Sequence, residues 1–205
     1  MPNQDNARVG NKAERAFSNY VKKSYDLQDA ISHYFEIEGE FLESHPAGPN
    51  LHKSDVLLLF KDAKPVGANI KVGKSNFNQV TRGTLQNISS KVGFSESTSQ
   101  ALAIGIDNYR LGREKILVEE RFRESVAKDI ESIQYQMFEA IFRGRGNDIA
   151  KLLVLHDRNK TAWHLYDLEK VLLDASKLPI TFSKNGIIHF GNLLSLQRKG
   201  GDGDK

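Results

Sequence analysis

Residues 54–62, Ser-Asp-Val-Leu-Leu-Leu-Phe-Lys-Asp, and residues 68–74, Ala-Asn-Ile-Lys-Val-Gly-Lys, decide the fold class. The first segment is an unbroken apolar run, Val56–Phe60, bounded by turn signals. It reads as a strand buried on both faces. The stretch between the two segments, Asp62 to Gly67, carries Pro65 and Gly67 and is too short for the crossover helix that parallel strands require. The two segments are therefore expected to form a β-hairpin.

Upstream, residues 11–25 place Ala13, Ala16, Phe17, Tyr20 and Val21 at helical spacing, with Glu14, Arg15, Lys22 and Lys23 toward other faces and Asn11 positioned as N-cap. A second helical pattern runs from Leu27 to about Leu42. Residues 44–54, with two prolines and a glycine, read as a loop. Downstream, Phe77, Val80, Leu85 and Ile88 predict a polar helix beginning at Ser75. A long helical region from about Ser97 to Phe142 follows, broken near residues 105–113. Its stripe of Leu117, Val118, Phe122, Val126, Ile130, Ile133, Met137, Ala140 and Ile141 is expected to pack on a sheet. Residues 150–157 and 161–167 read as two strands, 168–176 as a short helix, and 180–191 as a hairpin turning at Lys184, Asn185 and Gly186.

The expectation is one α/β domain over residues 1–205, with a central mixed sheet flanked by helices. Residues 1–50 supply N-terminal helices, 51–95 the hairpin and a following helix, 96–146 a helical region, and 147–205 the C-terminal strands and tail.

The chain has 205 residues, 29 Lys and Arg against 26 Asp and Glu, and no cysteine. Its composition is that of a globular protein, which excludes collagen and coiled-coil arrays. Without cysteine there is no disulfide framework, thiolate zinc site or cysteine nucleophile, so chemistry falls to carboxylates, amides, amines, imidazoles and hydroxyls. No signal-peptide or membrane-spanning segment is apparent, and a soluble cytoplasmic protein is expected. The near-neutral balance is uneven: residues 1–50 have five basic and eight acidic side chains, residues 51–100 seven and three. A basic stretch around the hairpin suits a polyanionic substrate.

Asp55 stands at the start of the first strand, while Asn69 and Lys71 occupy alternate positions on the second and so share a sheet face. A tight turn brings Asp55 opposite that pair. One carboxylate, one amide oxygen and one ammonium then converge at a strand end, a set suited to phosphodiester hydrolysis with Mg²⁺: hard oxygens hold the cation and lysine assists the attacking water. A competing acid-x-Lys, Asp62 and Lys64, lies within the turn and presents no strand-alternated pair. The six histidines form no HxH or HxxxH pair, so zinc chemistry is unsupported. His52 reads as a loop histidine and Trp163 as core.

Ser54-Asp55 followed by Asn69-Ile70-Lys71 resembles the PD-(D/E)xK nuclease signature, in which an Asp lies on one strand and acid-x-Lys on the next. The preceding helix with its isolated Glu14 and the polar stretch Ser75–Arg82 agree with it. The size, the Lys53-Ser54-Asp55 opening and the run Lys71 to Val80 are similar to type II restriction endonucleases, as is the tail Leu194–Lys205 near some C-termini. The resemblance implies sequence-specific, Mg²⁺-dependent cleavage of double-stranded DNA leaving a 5′-phosphate, and a cognate methyltransferase. A palindromic site would suit a homodimer. Two positions depart from the signature: Ser54 replaces its proline and Asn69 its second acid. An amide oxygen still ligates a hard cation, but the lost charge makes another carboxylate necessary. Glu14 is the first candidate, Glu43 or Glu40 the next. The alternatives are a structure-specific repair or recombination nuclease on the same scaffold, a catalytically inactive DNA-binding protein, and an interaction domain without nucleic acid.

For DNA contacts, Lys74, Ser75, Gln79 and Arg82 are expected at the start of the helix after Lys71, where amide N–H groups favour phosphate. Arg143 and Arg145 form one basic glycine-containing loop, Arg198 and Lys199 another; arginine's fork suits the guanine edge.

Overall fold

The computed structural model describes residues 2–47, 54–72, 78–80, 89–90, 92–143, 150–157, 162–192 and 194–198. The backbone divides into two compact units: Met1–Ser75 with Phe142–Val171, and Asn76–Ile141 with Leu172–Lys205.

The first unit holds α1 (Pro2–Lys23), α2 (Tyr25–Tyr34), β1 (Phe41–Pro46), β2 (Val56–Phe60), β3 (Val66–Val72), β5 (Ala150–Asp157) and β6 (Ala162–Asp167). Its five-stranded mixed sheet has the order β1-β2-β3-β5-β6. The β2–β3 hairpin forms as the turn chemistry requires, with Val56 opposite Ala68. Only β3 and β5 run parallel. The long connection that parallel pairing demands is supplied by residues 76–141, the first segment of the second unit.

One sheet face buries Val56, Leu58, Phe60, Val66, Ala68, Ile70, Leu152 and Val154 against Ala13, Phe17 and Val21 of α1 and Ile31 of α2. The spacing i, i+4, i+8 of the three α1 residues puts them on one helical stripe. Two serines interrupt this apolar contact. Ser18 Oγ donates to the Ser44 carbonyl at 2.8 Å, and Ser44 Oγ donates to the Ser18 carbonyl at 2.8 Å, tying α1 to β1. Trp163, half-buried against the same cluster, stacks on His156 with ring centroids 4.1 Å apart.

The second unit contains β4 (Asn78–Val80), α3 (Glu96–Arg110), a single 3₁₀ turn (Glu120–Phe122), all but the last residue of α4 (Arg123–Phe142), β7 (Ile180–Phe182), β8 (Ile188–Phe190) and β9 (Leu194–Arg198). The helix α5 (Leu168–Ala175) spans the boundary. The four strands form a second sheet in the order β4-β9-β8-β7. Of the expected apolar stripe Leu117, Val118, Val126, Ile130, Met137 and Ile141 are buried, and Phe138, outside that stripe, meets Phe190 of β8 edge to face at 4.8 Å. Ile133, at φ −127°, breaks the helical path, and beyond it Gln134 and Phe138 turn inward while Ile133 is only half-buried. Gln134 is accommodated because its amide donates to the Ala175 and Leu178 carbonyls at 2.9 and 3.1 Å. The hairpin turn at Lys184–Gly186 forms as expected, with Gly186 at φ +67°.

Five local expectations are corrected. Asn11 lies inside α1, which begins at Pro2. The second helix ends at Tyr34, not near Leu42, and its expected last turns give way to β1. Residues 44–46, read as loop, are the end of that edge strand, which needs only one paired side and so tolerates Glu43, His45 and Pro46. The strand buried throughout its length is not β2, where Leu57 and Leu59 are half-exposed, but the first five residues of β3, which has neighbours on both sides. Finally, residues 78–80 of the expected helix after Lys71 are strand β4, parallel to β9. No helix among the described residues is long and apolar enough to cross a membrane.

Candidate active site

Asp55 immediately precedes β2, at the open end of the hairpin. Its backbone N–H donates to the Ala68 carbonyl at 2.8 Å, and its carboxylate Oδ2 accepts the Ile70 N–H at 2.6 Å. The side chain thus takes over as acceptor where the β2–β3 ladder ends, and this holds the carboxylate beside the peptide linking Asn69 to Lys71. A charge-assisted bond of this length is among the stronger protein hydrogen bonds. Ala68 and Ile70 point into the core cluster, so Asn69 and Lys71 occupy the other sheet face. Asn69 is 5% exposed and its Oδ1 is buried; Lys71 is half-buried.

The close approach of β2's lead-in to β3 depends on Gly67. A Cβ there would lie 3.0 Å from Ser54 Cβ and 3.2 Å from Ala150 Cα, tighter than ordinary carbon contacts. Ser54 is 2% exposed.

Glu14 reaches this strand end from α1. Burial raises its carboxyl above the ordinary value, the Asp55 carboxylate raises it further, and the Lys71 and Arg15 cations pull it down. Glu14 therefore stands within reach of the charges of both Asp55 and Lys71. Glu40 instead faces Lys61 at 4.0 Å, and Glu43 is exposed on β1 opposite Leu59.

This donor set fits Mg²⁺. Asp55 makes Glu14 harder to charge, a repulsion that a divalent cation would relieve, and Asn69, on β3 two residues before Lys71, carries a buried hard oxygen. Among the described residues no three His, Cys, Asp or Glu side chains cluster as a metal site, so the amide oxygen would have to serve as the third protein ligand. A groove of 730 Å³ lined by Phe35–Glu40, Lys61–Lys64 and Lys151 lies at the opposite, turn end of the hairpin, away from this chemistry.

The expected DNA contacts are placed less completely. Lys74, Ser75, Arg82, Arg145 and Lys199 fall outside the described residues. Gln79 and Arg198 are on neighbouring strands of the second sheet, where Gln79 pairs with Gln197 and Val80 with Arg198. Two segments read separately in the sequence are thereby brought together. Arg143 is largely buried and forms an ion pair with Glu169. The buried Ser18–Ser44 pair was not legible in the sequence: two serines 26 residues apart carry no local signal.

No protein-family model matches this chain, and no curated protein matches it. Among solved structures it is similar to the crystal structure of restriction endonuclease MspI in complex with its cognate DNA. The TM-score is 0.51 at 12% identity, covering 78% of this chain and 73% of that one. At that identity the likeness is one of fold: this chain has a restriction-endonuclease-like fold, a mixed α/β structure built on a five-stranded mixed sheet with helices packed against it.

Proposed function

We propose that this chain is a Mg²⁺-dependent endonuclease of type II restriction character, hydrolysing phosphodiester bonds of double-stranded DNA at a specific sequence and leaving a 5′-phosphate. The observation that carries the reading is that Glu14 senses the charges of Asp55 and Lys71 at one end of the β2–β3 hairpin, with Asn69 on the same strand face as Lys71. The fold shared with an endonuclease solved on its DNA supports it.

In this reading Asp55, Glu14 and the Asn69 amide oxygen hold the metal. Bound Mg²⁺ would supply charge to the scissile phosphate and lower the pKa of a water. Lys71, on the Asn69 face, would as its ammonium orient the attacking water and offset charge developing on the phosphate. The Ile70 N–H holds Asp55 in the orientation this needs. Lys74, Ser75, Gln79, Arg82, Arg143, Arg145, Arg198 and Lys199 supply the DNA contacts, with Arg143 exchanging Glu169 for a phosphate or base. The whole chain acts as one nuclease domain, a two-fold dimer suits a palindromic site, and a cognate methyltransferase would protect the host DNA.

Plasmid digestion in Mg²⁺ tests this. Discrete bands are expected from the wild-type protein, and none from Asp55→Ala or Lys71→Ala with the circular dichroism spectrum unchanged. Full cleavage by either variant removes the catalytic assignment. A smear, or cutting confined to junctions, indicates a repair or recombination nuclease. Asn69 in place of an acid favours a second reading, a DNA-binding protein without cleavage; salt-sensitive DNA retention with no cutting in Mg²⁺ would establish it.

A further inference from the structure

We propose that Ser18 and Ser44 form a positioning pair that sets where Glu14 stands over Asp55 and Lys71; this rests on the metal-site reading above. The buried apolar part of the α1–sheet contact is made by Ala13, Phe17 and Val21 with Val56, Leu58, Val66 and Ala68. Apolar contacts are non-directional and leave a helix free to slide or roll slightly on a sheet. Into this contact the chain places two polar residues, Ser18 at 3% and Ser44 at 0% exposure. Each hydroxyl donates to the other residue's carbonyl at 2.8 Å, and the two Oγ atoms are 3.1 Å apart.

A serine inside a helix ordinarily turns its hydroxyl back onto the carbonyl four residues earlier, which here belongs to Glu14. Ser18 donates outward to β1 instead, so α1 is fastened at a single axial position and a single roll angle. Alanine would fill this place at less cost in buried polar atoms. What the pair supplies is direction.

Glu14 lies one helical turn from Ser18 on the same side of α1, since residues four apart are neighbours on the helix surface. Ser44 pairs with Leu58 of β2, the strand that Asp55 introduces. The pair therefore links the element carrying Glu14 to the strands carrying the other site residues, close to both. Slippage of α1 would move a carboxylate away from the metal position without unfolding the protein.

The test measures Mn²⁺ affinity of the full chain by electron paramagnetic resonance, well below the unfolding temperature. The set is wild type, Ser18→Ala, Ser44→Ala, the double variant, Glu14→Gln, and Glu14→Gln combined with Ser18→Ala. Ser18→Thr, which keeps the hydroxyl, serves as rescue. Outer-shell supports of metal ligands are worth roughly 10- to 100-fold in affinity, so each serine variant should bind Mn²⁺ at least about tenfold more weakly. Ser18→Thr should restore binding, and in the Glu14→Gln background Ser18→Ala should have no further effect. A merely structural role would lower the unfolding temperature and leave affinity of the folded protein unchanged. If Glu14→Gln weakens Mn²⁺ binding but the serine variants do not, the positioning role is overturned and the metal-site reading stands. If the wild-type protein binds no Mn²⁺, both are overturned.

Discussion

Gly67→Ala probes the packing that brings Asp55 to its place. The added methyl would sit 3.0 Å from Ser54 Cβ and 3.2 Å from Ala150 Cα, with the Ser54 hydroxyl closer still. Rotating the hydroxyl removes only the last of these contacts. Carbon pairs prefer separations of about 3.5–4.0 Å, so Ser54 and β5 must each give way by roughly half an ångström. Neither moves freely, because Ser54 is 2% exposed and β3 is hydrogen-bonded on both edges. Overpacking of this kind costs about 1–3 kcal/mol. Replacing glycine also restricts the unfolded chain, which returns about 0.4–1 kcal/mol. The net expectation is a loss of about 1–2 kcal/mol, read as a lower urea midpoint with an unchanged slope. Cleavage should fall further than stability explains, because the strain displaces Ser54 and with it Asp55 from the Ile70 N–H. Combining the change with Ser54→Gly removes one of the two obstructing groups. The cycle should therefore show a favourable coupling of about 1 kcal/mol, within the range of residues in contact. Full stability of Gly67→Ala, or zero coupling with Ser54→Gly, would refute the close approach and the account of how Asp55 is held.

Two further outcomes test separate parts of the molecule. Asn69→Asp puts a carboxylate in place of the amide and, on the proposed function, should keep or raise Mg²⁺-dependent cleavage; total loss with the fold intact would mean that the amide does something other than ligate metal. Asp129 accounts for a defined part of the acid sensitivity. Burial raises its carboxyl, but the Thr98 and Ser95 side chains and the Ser95 N–H outweigh this and leave it below the ordinary aspartate value. Ser95 donates to it from N–H at 3.0 Å and from Oγ at 2.8 Å. A depressed folded-state pKa adds stability above the unfolded value, and that stability is lost as pH falls through the folded value. Wild type should therefore exceed Asp129→Asn in unfolding free energy at pH 7, with the gap closing as the solution is acidified below about pH 4. A gap independent of pH would reject the ionised-acceptor role.

The hairpin was legible because two local signals coincide: a strand-length apolar run and a linker too short for any parallel connection. Asp55, Asn69 and Lys71 followed from strand alternation alone, and their placement needs no tertiary information beyond the turn. Of the strands that escaped notice, β4 draws its pairing from far along the chain. β4 is only Asn78-Gln79-Val80, too short for a periodic pattern, and its partner β9 lies more than a hundred residues later. Phe41–Pro46 likewise has no strand-like alternation. It is held by β2 on one side and by Ser44 bonding to α1.

The reversal between β2 and β3 shows where composition misleads. Val-Leu-Leu-Leu-Phe is far more apolar than Val-Gly-Ala-Asn-Ile, yet the second segment is the one buried at every position. Burial is set by neighbours: β3 has β2 on one side and β5 on the other, and the small residues Gly67 and Ala68 let both approach closely. A central position makes Asn69 costly. Burying an amide is tolerated only where it finds polar company, and an aliphatic side chain would fill the place at no such cost. In sequence, Asn-x-Lys after an Asp is a frequent coincidence. With the amide sunk into the middle strand, Asp55 fastened to the peptide beside it and Glu14 sensing both Asp55 and Lys71, the same residues form a polar cluster that packing alone would not select.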